Sequence, residues 1–340
     1  MNYPKLNLHY GLHTIELYLG KLKYAEVQRV IDRLMDIGQI YLSQADPYNI
    51  DRSGESGYFV REGIRLRIYQ SYNKSNGIAF IVNPGTLLSG EYQPVNLWIP
   101  SKAAVNKLLV HISACMDKLG LDQDHVRNLS LSQMDITENH WHDVSHDIPR
   151  DIRIFKKGYC PRNFEAVKNQ SSGIKKRLFI IKSRKITIKA YDKIYELQQN
   201  GRCPESLKNQ SILRWEVSMK REAFLKKLNL DRKDSLYKML RTGYEQGQDI
   251  LHDYFEKIFL FSGDIVSYAE AKRRIQNGVS DKLLKEQMLF LLKKTSDSAG
   301  LSTAVHKLKK CYKNVDDRRV KRIIHEFDKL GTAPITQPNG

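Results

Sequence analysis

Three short segments carry reactive side chains at alternating positions. In Leu131–Thr137, Met134 and Ile136 alternate with Gln133, Asp135 and Thr137. In Ile186–Tyr191, Ile186, Ile188 and Ala190 alternate with Thr187, Lys189 and Tyr191. In Leu213–Met219, Leu213, Trp215, Val217 and Met219 alternate with Arg214, Glu216 and Ser218. Alternation of this kind sends side chains to opposite faces of a sheet. If the three segments are neighbouring strands, one open face collects Asp135, Glu216, Tyr191, Lys189 and Arg214. Such a set suits phosphodiester cleavage. Carboxylates hold Mg²⁺ or Mn²⁺ through oxygen, and the metal polarises the scissile phosphate. A tyrosine is a weak nucleophile near neutral pH and needs that positive surrounding. Glu196, where the second strand gives way to a helix, is available as a third acidic ligand. The plain alternative is a solvated sheet face, and with 18 tyrosines in the chain one on such a strand is ordinary.

The charge balance points the same way. Lys plus Arg number 56 against 38 Asp plus Glu, a formal net charge of +18 in 340 residues. Such a surplus concentrates polyanions at the surface, and nucleic acid is the commonest of them. The basic residues cluster at Arg150, Arg153, Lys156 and Lys157; at Lys175, Lys176 and Arg177; at Lys272, Arg273 and Arg274; and along 307–322, with Lys189 beside the candidate site. Tyr159, Phe164 and Tyr312 lie among them and suit stacking on unpaired bases. No stretch approaches the ~18 apolar residues of a membrane-spanning helix. Met1–Lys5 lacks a signal-peptide layout, so a cytoplasmic protein with no membrane partner is expected. Cys115, Cys160, Cys203 and Cys311 lie far apart, which excludes a zinc ribbon and suggests reduced thiols.

The elements around these segments read as α+β. His13–Leu19 alternates as a strand, and 24–36 carries Val27, Val30, Ile31 and Leu34 at helical spacing. Ile64–Tyr69 and Ile78–Val82 read as a hairpin turning at Asn76-Gly77. Ser101 caps a helix that Gly120 ends. Residues 143–176 read as a long polar connection, followed by a hairpin through Ser183-Arg184 and a helix from Ile194 to Asn200-Gly201. After about residue 233 the pattern is helical over 236–260, 265–276, 280–294 and 303–330. The expected organisation is an antiparallel-rich α+β catalytic domain over 1–232, with halves of about 1–122 and 123–232. A helical DNA-binding appendage over 233–330 and a flexible tail over 331–340 complete it.

The reactive segments also resemble a known family. Leu131-Ser-Gln-Met-Asp135-Ile-Thr137, Ile188-Lys-Ala-Tyr191-Asp-Lys-Ile-Tyr-Glu196-Leu-Gln198 and Leu213-Arg-Trp-Glu216-Val-Ser-Met-Lys220 resemble, in order and spacing, the gene II replication initiators of filamentous phages. Phe224–Leu230 is similar to the basic helix that follows in that family. Ile68-Tyr69, Asn83-Pro84 and Leu87–Gly90 are similar to earlier parts of it. Plasmid rolling-circle initiators with carboxylate metal ligands share the Y-x-K-x-x-E core. The resemblance covers roughly 60–260. It implies a nickase with Tyr191 as nucleophile, Tyr195 as its rival, and Asp135, Glu196 and Glu216 as ligands of Mg²⁺ or Mn²⁺. Lys193 and Arg214 would contact phosphates.

The resemblance further implies origin DNA as substrate, a 3′ hydroxyl primer, and a host helicase and polymerase as partners in a bacterial cell; whether the protein acts as a homo-oligomer on DNA is left open by the sequence. A non-catalytic DNA-binding regulator and a mobilisation relaxase are the alternatives. One feature departs from the family pattern. His140-Trp141-His142 reads as His–hydrophobe–His, the metal motif of a different class of tyrosine nickases, and in a strand both histidines would share a face. The plain reading is a loop of surface histidines, His140, His142 and His146.

Overall fold

The computed structural model describes residues 9–36, 58–61, 63–69, 76–89, 94–167, 176–297 and 300–337. The elements run β1 (His9–Leu22), α1 (Tyr24–Asp36), β2 (Tyr58–Arg61), β3 (Ile64–Tyr69), β4 (Asn76–Val82), α2 (Pro84–Ser89), α3 (Lys102–Lys118) and β5 (Ser130–His142). Then follow α4 (Ile148–Lys157), β6 (Glu165–Ala166), β7 (Leu178–Lys182), β8 (Ile186–Asp192), α5 (Lys193–Gln199), β9 (Ser211–Lys220), α6 (Arg221–Lys227) and α7 (Leu236–Glu245). The chain ends in helices α8 (Gly247–Ile258), α9 (Tyr268–Gly278), α10 (Lys282–Ser296), α11 (Leu301–Cys311) and α12 (Asp317–Lys329). This is the expected α+β class with antiparallel pairing and C-terminal helices. Two compact units divide the described residues, 9–138 with 216–248, and 139–215 with 249–337. The division does not follow chain order, because β5 and β9 each run from one unit into the other. No helix among the described residues is long and apolar enough to cross a membrane.

In the first unit the strands pair in the order β2-β3-β4-β1-β5-β9. Leu17 lies opposite Phe80, and Phe80 opposite Leu66, so one apolar parity is continuous across three strands. Val27, Val30, Ile31 and Leu34 of α1 are buried, as their helical spacing requires. Ser101 caps α3, its hydroxyl accepting from the Ala104 N–H at 3.1 Å, and Gly120 takes φ +72 past the helix end. Asn76 and Gly77 do not form the hairpin turn that their sequence predicts. Both lie inside β4, with Gly77 opposite Gly20 and Tyr69, and residues 70–75 lie outside the described residues. Gly77 serves close approach instead. A Cβ there would stand 2.6 Å from the Leu19 carbonyl oxygen and against the Tyr18 hydroxyl.

In the second unit the order is β5-β9-β8-β7-β6. The β7–β8 hairpin closes as expected, with the Ser183 N–H donating to the Ile186 carbonyl at 2.7 Å. The predicted long connection over 143–176 contains α4. Its signature is Asp147, whose carboxylate accepts from the Arg150 N–H at 3.1 Å, then Pro149, with Ile148, Ile152 and Phe155 on one buried stripe. The Phe155 ring lies 5.3 Å from Trp215 and 5.7 Å from Phe179. The helix-rich segment over 303–330 comprises α11 and α12, and α12 starts at the Asp316 cap, whose carboxylate accepts from the Arg319 N–H at 2.7 Å.

Residues 331–337 are not the expected loose tail. Thr332 bridges to Asp264, Ala333 and Ile335 are fully buried, and the Thr295 hydroxyl donates to the Pro334 carbonyl at 2.6 Å. Two apolar side chains on alternate residues account for that burial. None of the four cysteines forms a disulfide.

Candidate active site

Asp135 and Glu216 lie in the first unit, on the neighbouring strands β5 and β9. Their polar parity is not the open face that alternation alone suggests. Asp135 is 6% exposed and Glu216 2%, and Thr137 and Ser218 beside them are buried too. Alternation separates the two faces of a strand, and what packs on each face is set by the tertiary fold. Asp135 accepts from the Gln133 side-chain amide at 3.1 Å, and Glu216 from the Ser218 hydroxyl at 3.5 Å. His13 Nδ1 of β1 stands 3.8 Å from Glu216 Oε2, and its Nε2 stands 3.5 Å from Asn83 Nδ2. Sequence reasoning does not find His13. The one available signal is its place on the buried parity of β1, in line with Ile15, Leu17 and Leu19.

Tyr191, Lys193, Glu196 and Arg214 lie in the second unit. Tyr191 is half-buried near the end of β8, opposite Leu178. The next residue, Asp192, caps α5 by accepting from the Tyr195 N–H at 3.0 Å, and its other oxygen pairs with Arg177. The Arg177 guanidinium also covers the Tyr195 ring, 4.7 Å from its centroid. Lys193 is buried and donates to Glu196 Oε2 at 2.7 Å, and Asn200 donates to Glu196 Oε1 at 2.7 Å. Arg214 is fully buried, its Nε donating to Asn139 Oδ1 at 2.7 Å.

The histidines are not all in a loop. β5 extends through His142, so His140 and His142 occupy one parity of a strand, and His146 follows in the exposed turn. Among the described residues, the metal-ligating side chains that gather are His142, His146 and Asp151, with donor atoms within 4.8 Å of one another. His140 is not part of that group. The His142 and His146 rings stack at 3.9 Å, 6° from parallel, and His146 Nε2 lies 2.6 Å from Asp151 Oδ2. Burial, reinforced by the neighbouring His146, pushes the His142 imidazole below its ordinary pKa.

The basic residues fall into two kinds. Lys156, Lys176 and Lys272 are exposed, as are Lys307, Lys310, Arg318, Lys321 and Arg322 on α11 and α12. Others are engaged locally. Arg153 pairs with Asp147 at 3.6 Å, and Arg177 with Asp192. Arg273 and Arg274 both bind Glu270, holding its carboxyl down to about 2. Arg150, Lys157 and Lys189 are half-buried, and burial pushes the Lys157 ammonium below its ordinary pKa. Lys175 lies outside the described residues. Tyr312 packs edge-on against Phe290 at 5.8 Å, and Phe164 against Tyr254 at 6.3 Å.

No known protein family matches the chain, and no curated protein matches it. Among solved structures, a rolling circle replication initiator protein from Geobacillus stearothermophilus aligns over 73% of this chain and 96% of its own, at 9% identity and a TM-score of 0.29. A 3-hydroxy-3-methylglutaryl-coenzyme A reductase from Streptococcus pneumoniae aligns over 90% of this chain and 76% of its own, at 11% identity and a TM-score of 0.19. Scores this low do not establish a common fold, and the functional reading rests on the residues of this chain.

Proposed function

We propose that this protein nicks one strand of an origin to initiate rolling-circle replication, with Tyr191 as nucleophile. The observation that carries the reading is the burial of Asp135 and Glu216 on adjacent strands. Carboxylates are rarely placed inside a fold, and these two lie side by side on neighbouring strands. Two of them, with only oxygen to offer, suit a hard divalent cation such as Mg²⁺ or Mn²⁺. When bound, that ion supplies Lewis-acid polarisation of the scissile phosphate.

The chain's own residues supply the rest. The Tyr191 phenol oxygen attacks phosphorus, its proton leaves, and the bond from phosphorus to the 3′ oxygen breaks. That oxygen takes a proton and becomes a free 3′ hydroxyl, while the phosphotyrosine ester keeps the bond energy for rejoining. Tyr195 is the weaker choice as nucleophile, since the family pattern that the chain resembles allows an aliphatic residue at its position. Lys193 would hold a phosphate oxygen, with Glu196 beside it as the third carboxylate, while Arg214, with no exposed surface and its Nε on Asn139, ties β9 to β5. The surplus of cations would hold the duplex. A helicase and a polymerase would extend from the 3′ end.

The test uses purified protein and supercoiled plasmid carrying the gene's own replication origin. With Mg²⁺, nicked circles and protein covalently joined to a 5′ phosphate are expected. Protein that binds this DNA tightly and leaves it supercoiled under every divalent metal would make it a regulator instead.

A further inference from the structure

We propose that His142, His146 and Asp151 form a zinc-type divalent metal site, separate from the carboxylates Asp135 and Glu216. Two of the three donors sit on fixed elements. His142 is the last residue of β5, and Asp151 lies in the first turn of α4, which the Asp147 cap holds in place. His146 lies between them in a short turn pinned at both ends, by the His146 N–H to the Asp143 carbonyl at 2.9 Å and the Ile148 N–H to the His146 carbonyl at 3.1 Å. Their donor atoms already lie within 4.8 Å of one another. Zinc binds imidazole nitrogen and carboxylate oxygen at about 2.0–2.2 Å, so turning the exposed His146 ring out of its stack on His142 would bring all three donors onto one ion.

The second observation is the state of His142. Its Nε2 is shut off from solvent and has no hydrogen-bond partner among the described residues. A buried ring nitrogen without a partner loses its hydration with nothing in return, and a metal ion supplies the missing partner. Two imidazoles and one carboxylate favour Zn²⁺ or Co²⁺ over Mg²⁺, which prefers all-oxygen sites. Asp147 is not a fourth donor. Its carboxylate is engaged by the Arg150 N–H and by Arg153. A water or a ligand oxygen would complete the coordination. An ion here would tie the end of β5 to the start of α4.

The probe is Co²⁺, whose visible spectrum reports nitrogen ligation, added to full-length protein stripped by a chelator and then displaced by Zn²⁺. One equivalent should give the nitrogen-ligated spectrum, whatever binds at Asp135 and Glu216. His146→Ala, at an exposed position, and Asp151→Asn should each weaken binding at least about tenfold. Zn²⁺ should raise the Tm of the native protein and not that of His146→Ala. Asp135→Asn and Glu216→Gln should keep the cobalt spectrum, so failure of the nicking reading leaves this site standing. No cobalt uptake, unchanged affinity in folded His142→Ala/His146→Ala, or loss of the spectrum in Asp135→Asn would overturn it.

Discussion

Tyr191 differs from the other tyrosines near it in what surrounds the ring. Tyr195 sits in the first turn of α5 under the Arg177 guanidinium, while Tyr191 is half-buried on β8, beside the Asp192 that anchors this arginine. Tyr191→Phe removes one oxygen atom. It should abolish nicking and the covalent adduct, seen as a shifted band of labelled oligonucleotide on a denaturing gel, and leave DNA affinity unchanged. An adduct that persists in Tyr191→Phe and vanishes in Tyr195→Phe would transfer the role. Asp135→Asn and Glu216→Gln keep shape and delete charge. Each should lower Mg²⁺ or Mn²⁺ affinity in calorimetric titration at least about tenfold and stop cleavage. Near-normal cleavage in both, with loss in a His140→Ala/His142→Ala pair, would move the catalytic metal to the histidines.

At the scale of elements, α4 holds the aromatic core of its unit through Phe155, which touches Trp215, Phe179, Phe255 and Phe259. Truncating a buried phenylalanine to alanine removes its transfer energy and leaves a cavity. Phe155→Ala should therefore cost about 3–5 kcal/mol in urea unfolding. Ser101→Ala removes one cap bond of α3 and should cost only about 1 kcal/mol. Equal costs for the two would mean that α4 is peripheral to its unit.

For the molecule as a whole, the +18 charge is the property that matters for binding. On α12 the apolar stripe Val320, Ile323, Ile324 and Phe327 is buried, and Arg318, Lys321 and Arg322 are left exposed. We expect these three cations to hold duplex phosphates without touching the chemistry. Replacing all three by glutamine should flatten the dependence of log affinity on log salt, by about 0.9 for each phosphate that is no longer neutralised. Cleavage of a short single-stranded oligonucleotide across the nick should persist, since that substrate needs no duplex clamp. An unchanged slope would assign the duplex binding to other surfaces.

Local pattern determined much of this protein by itself. Alternation located β5, β8 and β9 with Asp135, Tyr191 and Glu216 on their polar parity, and helical spacing located α1 and α3 with the Ser101 cap. These features depend on near neighbours in the chain, so near neighbours reveal them. The α4 signature was also present, in Asp147, Pro149, Ile148, Ile152 and Phe155, but basic residues interleaved with it masked the stripe.

Other features were decided only by the tertiary structure. The polar faces of β5 and β9 are buried, and what covers a face of a sheet is not encoded within any one strand. Gly77 lies in a strand rather than a turn because Tyr18 and Leu19, far away in sequence, pass close to its backbone. His13 reaches Glu216, and His142 meets His146 and Asp151, through positions that backbone folding sets. Proximity between distant residues depends on the packing of whole elements, and periodicity within a segment carries no information about it.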